Sequence, residues 1–170
     1  KQAKELGYEA VELTLEAKGD ITAAATNEEL AAVKAYADEL GMRIPTMATL
    51  LYWESPLIGP NGVQPDAAQE ITRHLLRSAK ALGAGTILTV PCTVGPELQY
   101  DVAYESGVSL YKKMGPMAAE YGVKVGVENV WNKFLTSPLE FARFIDEINH
   151  PNVGAYFDVG NVLLFGFPEQ

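Results

Sequence analysis

Apolar residues recur along the chain with two different spacings, and the two alternate. Where they fall three or four positions apart they share one face of a helix, and four such helices are predicted. Short apolar runs between the helices predict five strands, at residues 8–14, 42–49, 85–90, 123–128 and 153–158. The helical faces comprise Leu30, Val33, Ala37 and Leu40; Ile71, Leu75, Ala79 and Leu82; Val108, Tyr111, Met114 and Ala118; and Phe141, Phe144, Ile145 and Ile148.

Glycines mark the points where a helix is followed by a strand. Each occupies the position just past a helix end, where a left-handed backbone is common. These glycines are Gly7, Gly41, Gly83 and Gly122. Two helix starts match the capping-box pattern, at Thr26 to Glu29 and at Ser137 to Glu140. The repeat of about 40 residues is one βα unit, so neighbouring strands are expected to be parallel.

Alternating strands and helices predict an α/β fold, either a closed (β/α) TIM barrel or an open sheet covered on both faces. Segments after strands, such as 50–65, are long, whereas the glycine turns are short, as in barrels that keep their chemistry on one face. No G-x-G-x-x-G motif supports a dinucleotide-binding sheet. We predict a single barrel domain over residues 1–170, here a partial barrel of about five parallel strands with the first strand and the last strands missing. Its open edges are compatible with a homo-oligomer.

Charge and composition limit the kinds of partner that the protein is expected to bind. The 13 basic and 22 acidic side chains give a net charge of −9, which argues against nucleic-acid binding. No apolar run has the length of a membrane span, so no membrane partner is expected. Cys92 is the only cysteine, which excludes an intramolecular disulfide. A cytoplasmic location is predicted, with a small molecule as the partner.

Two carboxylates stand where barrel active sites are assembled. Glu128 and Asp158 each follow an apolar run, at the predicted carboxyl ends of the fourth and fifth strands. A divalent cation would offset the cost of bringing two anions together. The alternative is that each acid only caps a loop or the N-terminus of a helix.

The segments GVENVWNKFLTSP and HPNVGAYFDVGNVLLFG resemble the xylose isomerase-like sugar phosphate isomerase/epimerase family, and within it the hexulose-phosphate and ketose 3-epimerase branch. The match is tight from about Val123 to Gly166. The resemblance implies that Glu128 is both a metal ligand and the catalytic acid/base, and that Asp158 is a second ligand. It implies that Asn161, where the family often has histidine, contacts substrate. The remaining ligands, a histidine and a second glutamate, would come from strands beyond Gln170.

The implied activity is isomerisation or epimerisation of a ketose or sugar phosphate through a cis-enediolate. The implied cofactor is a divalent metal ion, which could be Mn²⁺, Mg²⁺, Co²⁺ or Zn²⁺. Because two ligands and one acid do not make a complete site, the 170 residues alone are expected to be inactive. Two alternatives stay open: a non-catalytic sugar- or partner-binding barrel, and an endonuclease IV-like metal hydrolase. Two histidines and the negative charge argue against the hydrolase.

Further candidates for substrate binding lie at strand ends. Glu12 is predicted to bond a sugar hydroxyl or, alternatively, to be a solvated loop acid. Trp131 could stack on a sugar or pack on the barrel rim, and Lys133 could meet a phosphate or be a surface lysine near a helix start. Tyr52 and Trp53 follow a strand and could either stack on a sugar or pack on the barrel rim. His74, His150 and Cys92 are not expected to act chemically. The histidines lie away from strand ends, and Cys92 is interpreted as a small buried residue lining the pocket.

Overall fold

Helices and strands alternate along the chain as predicted in the computed structural model, which describes residues 1–164. The helices are α1 (Gln2–Glu5), α2 (Asn27–Glu39), α3 (Asp66–Leu82), α4 (Tyr100–Tyr121), α5 (Pro138–Ile148) and α6 (Val159–Val162). The strands are β1 (Leu13–Leu15), β2 (Thr46–Thr49), β3 (Thr86–Thr89), β4 (Lys124–Glu128) and β5 (Val153–Tyr156). Two 3₁₀ turns, Leu51–Trp53 and Pro60–Gly62, lie between β2 and α3.

The five strands form one parallel sheet in the order β1-β2-β3-β4-β5. Each strand pairs with the next one along the chain, which is the order of a barrel and not that of a doubly wound sheet. The register places Met47 beside Ile87, Ile87 beside Val125 and Val125 beside Val153, so the strands are aligned across most of the sheet.

Alternate residues of each strand point to opposite faces, and the two faces have different neighbours. The outer layer is the apolar core between sheet and helices, to which the strands contribute Leu15, Met47, Ile87, Val125 and Val127. The opposite side, called the inner face, carries a small cluster with no helical residue: Ala48, Leu88, Val90, Val130 and Tyr156. Helices therefore cover only one side of the sheet.

Curvature of the sheet is shown by a contact between its two outermost strands. The Tyr156 hydroxyl of β5 donates a hydrogen bond of 3.0 Å to Oε2 of Glu12, just before β1. A flat five-stranded sheet would hold these side chains far apart, since strands are about 4.8 Å apart. The chain is thus an arc of a (β/α) barrel, and the open-sheet alternative is wrong.

The first two strands are shorter than predicted. β1 and β2 begin later than the expected 8–14 and 42–49, and before them the two segments meet at one bridge between Ala10 and Arg43. Pro45, just before β2, has no N–H to donate to the ladder, which limits the pairing at this end.

The helix ends follow the predicted signals closely. All four glycines have positive φ, between 62° and 88°. Thr26 and Glu29 form the complete capping box, with hydrogen bonds of 3.2 and 2.8 Å. At α5 only half of the predicted box forms: Ser137 accepts from the Glu140 N–H, while the Glu140 carboxylate accepts from the N–H of Thr136 and not from that of Ser137.

Within residues 1–164, no helix combines the length and the apolar character needed to cross a membrane.

Candidate functional site

Glu128 is the last residue of β4, at the carboxyl edge of the sheet, and it lies beside Tyr156 of β5 in the register. Its side chain is half-buried. Burial raises the pKa of the Glu128 carboxyl from its ordinary value to about 7, with smaller contributions from the negative charges of Asp158 and Glu12. Since a charge contribution of this kind requires proximity, the fold brings all three carboxylates to one region.

Asp158 lies two residues beyond the end of β5, not within the strand as predicted. It is the N-cap of α6, and its Oδ1 accepts a hydrogen bond of 2.7 Å from the Asn161 N–H. The helix cap named as the alternative role of this acid is therefore present, and its predicted role as a metal ligand stays a prediction. The capping bond occupies one carboxylate oxygen only, so capping and metal binding do not exclude each other.

Asn129, which directly follows Glu128, fixes this cap to the end of β4. Its Oδ1 accepts from the Asp158 N–H at 2.7 Å, and its Nδ2 donates to the Asp158 carbonyl at 2.9 Å. The Asn161 side-chain amide donates to the Asn129 carbonyl at 3.0 Å. Sequence reasoning missed Asn129, although its position directly after an acid at a strand end was a usable signal.

Glu12 lies on the inner face and is held by two hydroxyl groups. Its Oε2 accepts hydrogen bonds from Thr46 Oγ1 at 2.7 Å and from the Tyr156 hydroxyl at 3.0 Å. Thr46 and Tyr156 were not predicted to belong to the site. One sequence signal could have pointed to Tyr156. The alternation of β5 puts it on the same face as Asp158, two positions later.

Trp131 and Lys133 stand in the loop between β4 and α5, with exposed side chains. Lys133 has a left-handed backbone, with φ of 59°. Among the hydrogen bonds and ion pairs of residues 1–164, none joins either side chain to Glu12, Glu128 or Asp158. Both therefore lie in the loop that follows the carboxyl end of β4, with no such bond from residues 1–164 joining them to the three carboxylates.

The two aromatic residues after β2 both border a cavity of about 430 Å³ between the loops that follow β2 and β3, but they differ in exposure. Tyr52 is buried and shares a hydrogen bond of 2.9 Å with Thr72 of α3, so its hydroxyl is used in packing. Trp53 is half exposed. Pro60, Val94 and Glu97 also line this cavity.

Cys92 and the two histidines lie apart from the carboxylates. Cys92 is buried, as predicted, in the outer-layer core, and it is not among the residues that line the cavity beside Trp53. Burial raises the pKa of its thiol to about 12, which makes it a poor nucleophile. His74 lies on α3, and His150 lies in the turn before β5, where it accepts from the Asn152 N–H at 3.1 Å.

The donor set suits part of a coordination sphere for a hard divalent cation. Carboxylate oxygens are the ligands that Mg²⁺ and Mn²⁺ prefer. Burial and the nearby negative charges of Asp158 and Glu12 disfavour ionisation of Glu128, and a cation would offset this cost. Across residues 1–164, however, no three histidine, cysteine, aspartate or glutamate side chains are grouped so that they could hold a metal ion. Glu128 and Asp158 thus fit a metal as two ligands among several.

A curved parallel sheet with helices outside and acids at the carboxyl ends of its strands defines the (β/α)-barrel class of proteins. The family model described as Xylose isomerase-like TIM barrel matches residues 1–170, and the chain belongs to this family. Residues 165 and 166, which complete the second motif, lie outside the described residues. No curated protein matches the chain.

Several solved structures are similar to the chain. D-Psicose 3-epimerase with D-tagatose from Clostridium cellulolyticum H10 has a TM-score of 0.79 at 17% identity, over 95% of this chain and 57% of that one. The IolI protein with a bound zinc atom has a TM-score of 0.72 at 17% identity, over 97% and 58%. The probable 3-DHS dehydratase AsbF from Bacillus anthracis has a TM-score of 0.74 at 17% identity, over 98% and 58%. The chain spans less than two thirds of each, and at these identities the likeness concerns the fold.

Proposed function

We propose that the protein to which this chain belongs is a metal-dependent isomerase or epimerase of a ketose or sugar phosphate, with Glu128 as its acid/base. Family membership supports the general class, and the ketose 3-epimerase among the similar structures supports the narrower one. The specific activity and the mechanism are our inference.

The observation that carries the proposal is the place of Glu128, half-buried as the last residue of β4 at the carboxyl edge of the sheet. Barrel enzymes place their catalytic groups at this edge. Asn129, the next residue, bonds the Asp158 backbone, and Tyr156, the register partner of Glu128, bonds Glu12, so both other acids are tied to the same strand end. Burial also raises the pKa of Glu128, which supports a role in proton transfer.

The reaction we propose begins when Glu128 removes the proton from the carbon beside the ketose carbonyl. The C–H bond breaks, the proton passes to a Glu128 oxygen, the C–H electron pair forms the C=C bond of an enediolate, and the carbonyl π electrons move onto the carbonyl oxygen. Return of a proton to the opposite face of the same carbon re-forms the original carbonyl and inverts that carbon. Return of a proton to the former carbonyl carbon, while the hydroxyl of the neighbouring carbon gives its proton to the former carbonyl oxygen, moves the carbonyl to that neighbouring carbon. Inversion needs a second acid on the opposite face of the sugar, which we expect outside this chain.

Glu128 and Asp158 are the residues we propose as ligands of a divalent ion. Such an ion, when bound, would acidify the C–H beside the carbonyl and offset the charge of the carboxylates. The zinc atom in the similar IolI structure supports a divalent metal in proteins of this fold without fixing its identity here. Asn129 would serve by holding Asp158 beside the end of β4.

Asn161, Glu12, Trp131 and Lys133 remain our candidates for substrate contact. Trp131 is 64% exposed and presents a face on which a sugar could stack. Lys133 could meet a phosphate as a point charge. Asn161 uses its amide N–H on Asn129, so its oxygen is the atom left to accept from a sugar hydroxyl.

The test is hydrogen exchange at the sugar carbons of the full-length protein's substrates. D-Psicose, D-fructose, D-tagatose and their phosphates are incubated in D₂O, with and without chelator, and deuterium incorporation is followed by NMR. Incorporation at carbon 3 identifies a 3-epimerase, and incorporation at carbon 1 identifies an aldose–ketose isomerase. Glu128→Gln should slow exchange about 10³-fold, whereas Glu9→Gln, an exposed acid paired only with Arg43, should leave it unchanged.

Two results would overturn this proposal. Exchange that survives Glu128→Gln would show that another group is the base, and exchange that is insensitive to chelator would exclude the metal. Sugar binding without any exchange would favour the non-catalytic sugar-binding barrel. The 170-residue chain alone should show no exchange, because the remaining ligands and the second acid are expected elsewhere.

A further inference from the structure

Tyr156 extends across the inner face of the sheet from the last strand toward the first. Its ring lies against Gly126, where a Cβ atom would come within 2.8 Å of the ring and so could not be accommodated without movement. Its hydroxyl reaches Oε2 of Glu12, 144 positions earlier in the chain. Tyr156 is the register partner of Glu128, and its ring therefore covers the inner face of β4 two residues before Glu128.

Glu12 is held from two sides on a single oxygen. Thr46 Oγ1 and the Tyr156 hydroxyl both donate to its Oε2, at 2.7 and 3.0 Å. Within residues 1–164, Oε1 accepts no hydrogen bond, and the side chain is exposed. Two charge-assisted bonds on Oε2 fix the carboxylate plane and leave Oε1 directed at open space as an acceptor.

The hydrogen bonds from Thr46 and Tyr156 to Glu12 are not required for packing of the main core. Thr46 and Tyr156 lie on the inner face, away from the helices whose contacts make up the main core. A solvated carboxylate has no need of protein donors, because water supplies them. Two hydroxyl donors on one carboxylate are useful where the carboxylate must be held in a fixed orientation to bind another molecule.

We propose that Tyr156 and Thr46 are positioning residues, which hold Glu12 so that its Oε1 accepts a hydrogen bond from one hydroxyl of a ketose bound beside Glu128. This inference rests on the proposed function for the identity of the ligand. Glu12 binds the part of the sugar that does not react, and the Tyr156 ring limits how deeply the sugar can enter. Glu12 thereby selects sugars by the presence and orientation of a particular hydroxyl.

Tyr156→Phe tests the positioning directly, because it keeps the ring and removes only the donor. We expect KM for the ketose to rise about tenfold with kcat within about twofold, since the lost contact is with a non-reacting hydroxyl. Thr46→Val should act in the same direction. Tyr111→Phe is the matched control: Tyr111 also bonds a threonine hydroxyl, Thr89, at 2.9 Å, but in the outer layer, so KM should not move.

Monodeoxy ketoses show whether the effect passes through one hydroxyl. The analogue that lacks the hydroxyl bound by Glu12 should have the same KM with wild-type protein and with Tyr156→Phe, whereas the other analogues should keep the tenfold difference. A rise of equal size with every analogue would mean that the variant disturbs the site generally, and it would overturn the inference.

A measurement that does not depend on turnover tests this inference separately from the proposed function. The ¹³C signal of the Glu12 carboxyl, assigned by its loss in Glu12→Gln, is followed as D-psicose and D-fructose are added. Turnover with no shift of this signal would overturn the inference and leave the proposed function standing. A shift that is lost in Tyr156→Phe, without any turnover, would support the inference and overturn the proposed catalysis. Neither shift nor turnover would overturn both.

Discussion

The outer layer and the inner face are built from alternate residues of the same strands, yet they use polar groups in opposite ways. In the outer layer, Thr89 bonds the Tyr111 hydroxyl and the Gly126 carbonyl, both at 2.9 Å, so its polar atoms satisfy one another. Burial raises the pKa of the Tyr111 hydroxyl far above its ordinary value, which keeps it neutral. On the inner face, Glu12 and Glu128 carry acceptor oxygens that residues 1–164 do not fully satisfy.

Polar groups of the outer layer maintain the fold, whereas those of the inner face have atoms left over to bind a partner. Pairing inside the outer layer adds to stability, because each buried hydroxyl would be costly alone. Negative charge gathered on the inner face costs stability, because burial and mutual repulsion both disfavour ionisation. A barrel can tolerate this cost at its carboxyl edge because its folding depends on the other layer.

The largest expected effect comes from emptying the centre of the outer layer. Phe144 is fully buried and contacts three aromatic rings, those of Tyr104, Tyr111 and Phe134, at centroid distances of 5.3 to 6.0 Å. Phe144→Ala should lower the free energy of unfolding by about 3–5 kcal/mol, measured by urea denaturation.

The control for that change lies on the same helix. Leu139 is 83% exposed, so Leu139→Ala should alter the unfolding free energy by less than about 0.5 kcal/mol. The folded fraction of Phe144→Ala should keep the wild-type KM, since Phe144 belongs to the layer that carries no chemistry. A KM change in that variant would break the division between the two layers.

The same substitution at two threonines, one in each layer, should change the unfolding free energy less than Phe144→Ala does, and by different amounts in the two layers. Thr89→Val leaves the Tyr111 hydroxyl buried without its partner and should cost about 2 kcal/mol of unfolding free energy. Thr46→Val removes a half-buried hydroxyl whose partner, the Glu12 carboxylate, is exposed to water that can replace it, and should cost less than about 0.5 kcal/mol. Thermal or urea unfolding of both variants measures the difference. Equal losses would show that the inner-face bonds are structural after all.

Much of the fold could be predicted because its signals are local. The positive φ of Gly83 and Gly122 and the capping box at Thr26 depend only on neighbouring residues, and each was found where the pattern put it. Strand ends were less certain. The loss of pairing before Pro45 depends on which residues of β1 lie opposite, and this register is a property of the sheet and not of one segment.

The candidate site was predictable only in part, for a related reason. Glu128 and Asp158 stand at strand ends, so periodicity alone marked them as candidates. Tyr156 acts on Glu12 from 144 positions away, through curvature that no local pattern encodes. Asn129 was overlooked because its importance lies in a reciprocal pair of bonds with the backbone of Asp158.

Glu128→Gln should give a pH-dependent gain in stability that is smaller than the losses expected for Phe144→Ala and Thr89→Val, measured with chelator present. The folded protein holds the Glu128 proton up to a pKa of about 7, whereas the unfolded chain releases it near 4.5. Ionisation in the folded state therefore costs free energy that is absent below pH 4.5, grows as pH rises toward 7 and is complete above it. Because the carboxylate is partly solvated, we expect the variant to gain about 1–2 kcal/mol at pH 8 relative to pH 4.5.

The Asp158→Asn background shows whether neighbouring charge contributes to this cost. Asparagine still caps α6, but it removes one of the negative charges that raise the pKa of Glu128; Glu12 and burial remain. The pH-dependent gain from Glu128→Gln should therefore be smaller in Asp158→Asn than in the wild type. An equal gain in both backgrounds would mean that Asp158 adds nothing to the raised pKa of Glu128, and the two acids would then be too weakly coupled to share a cation.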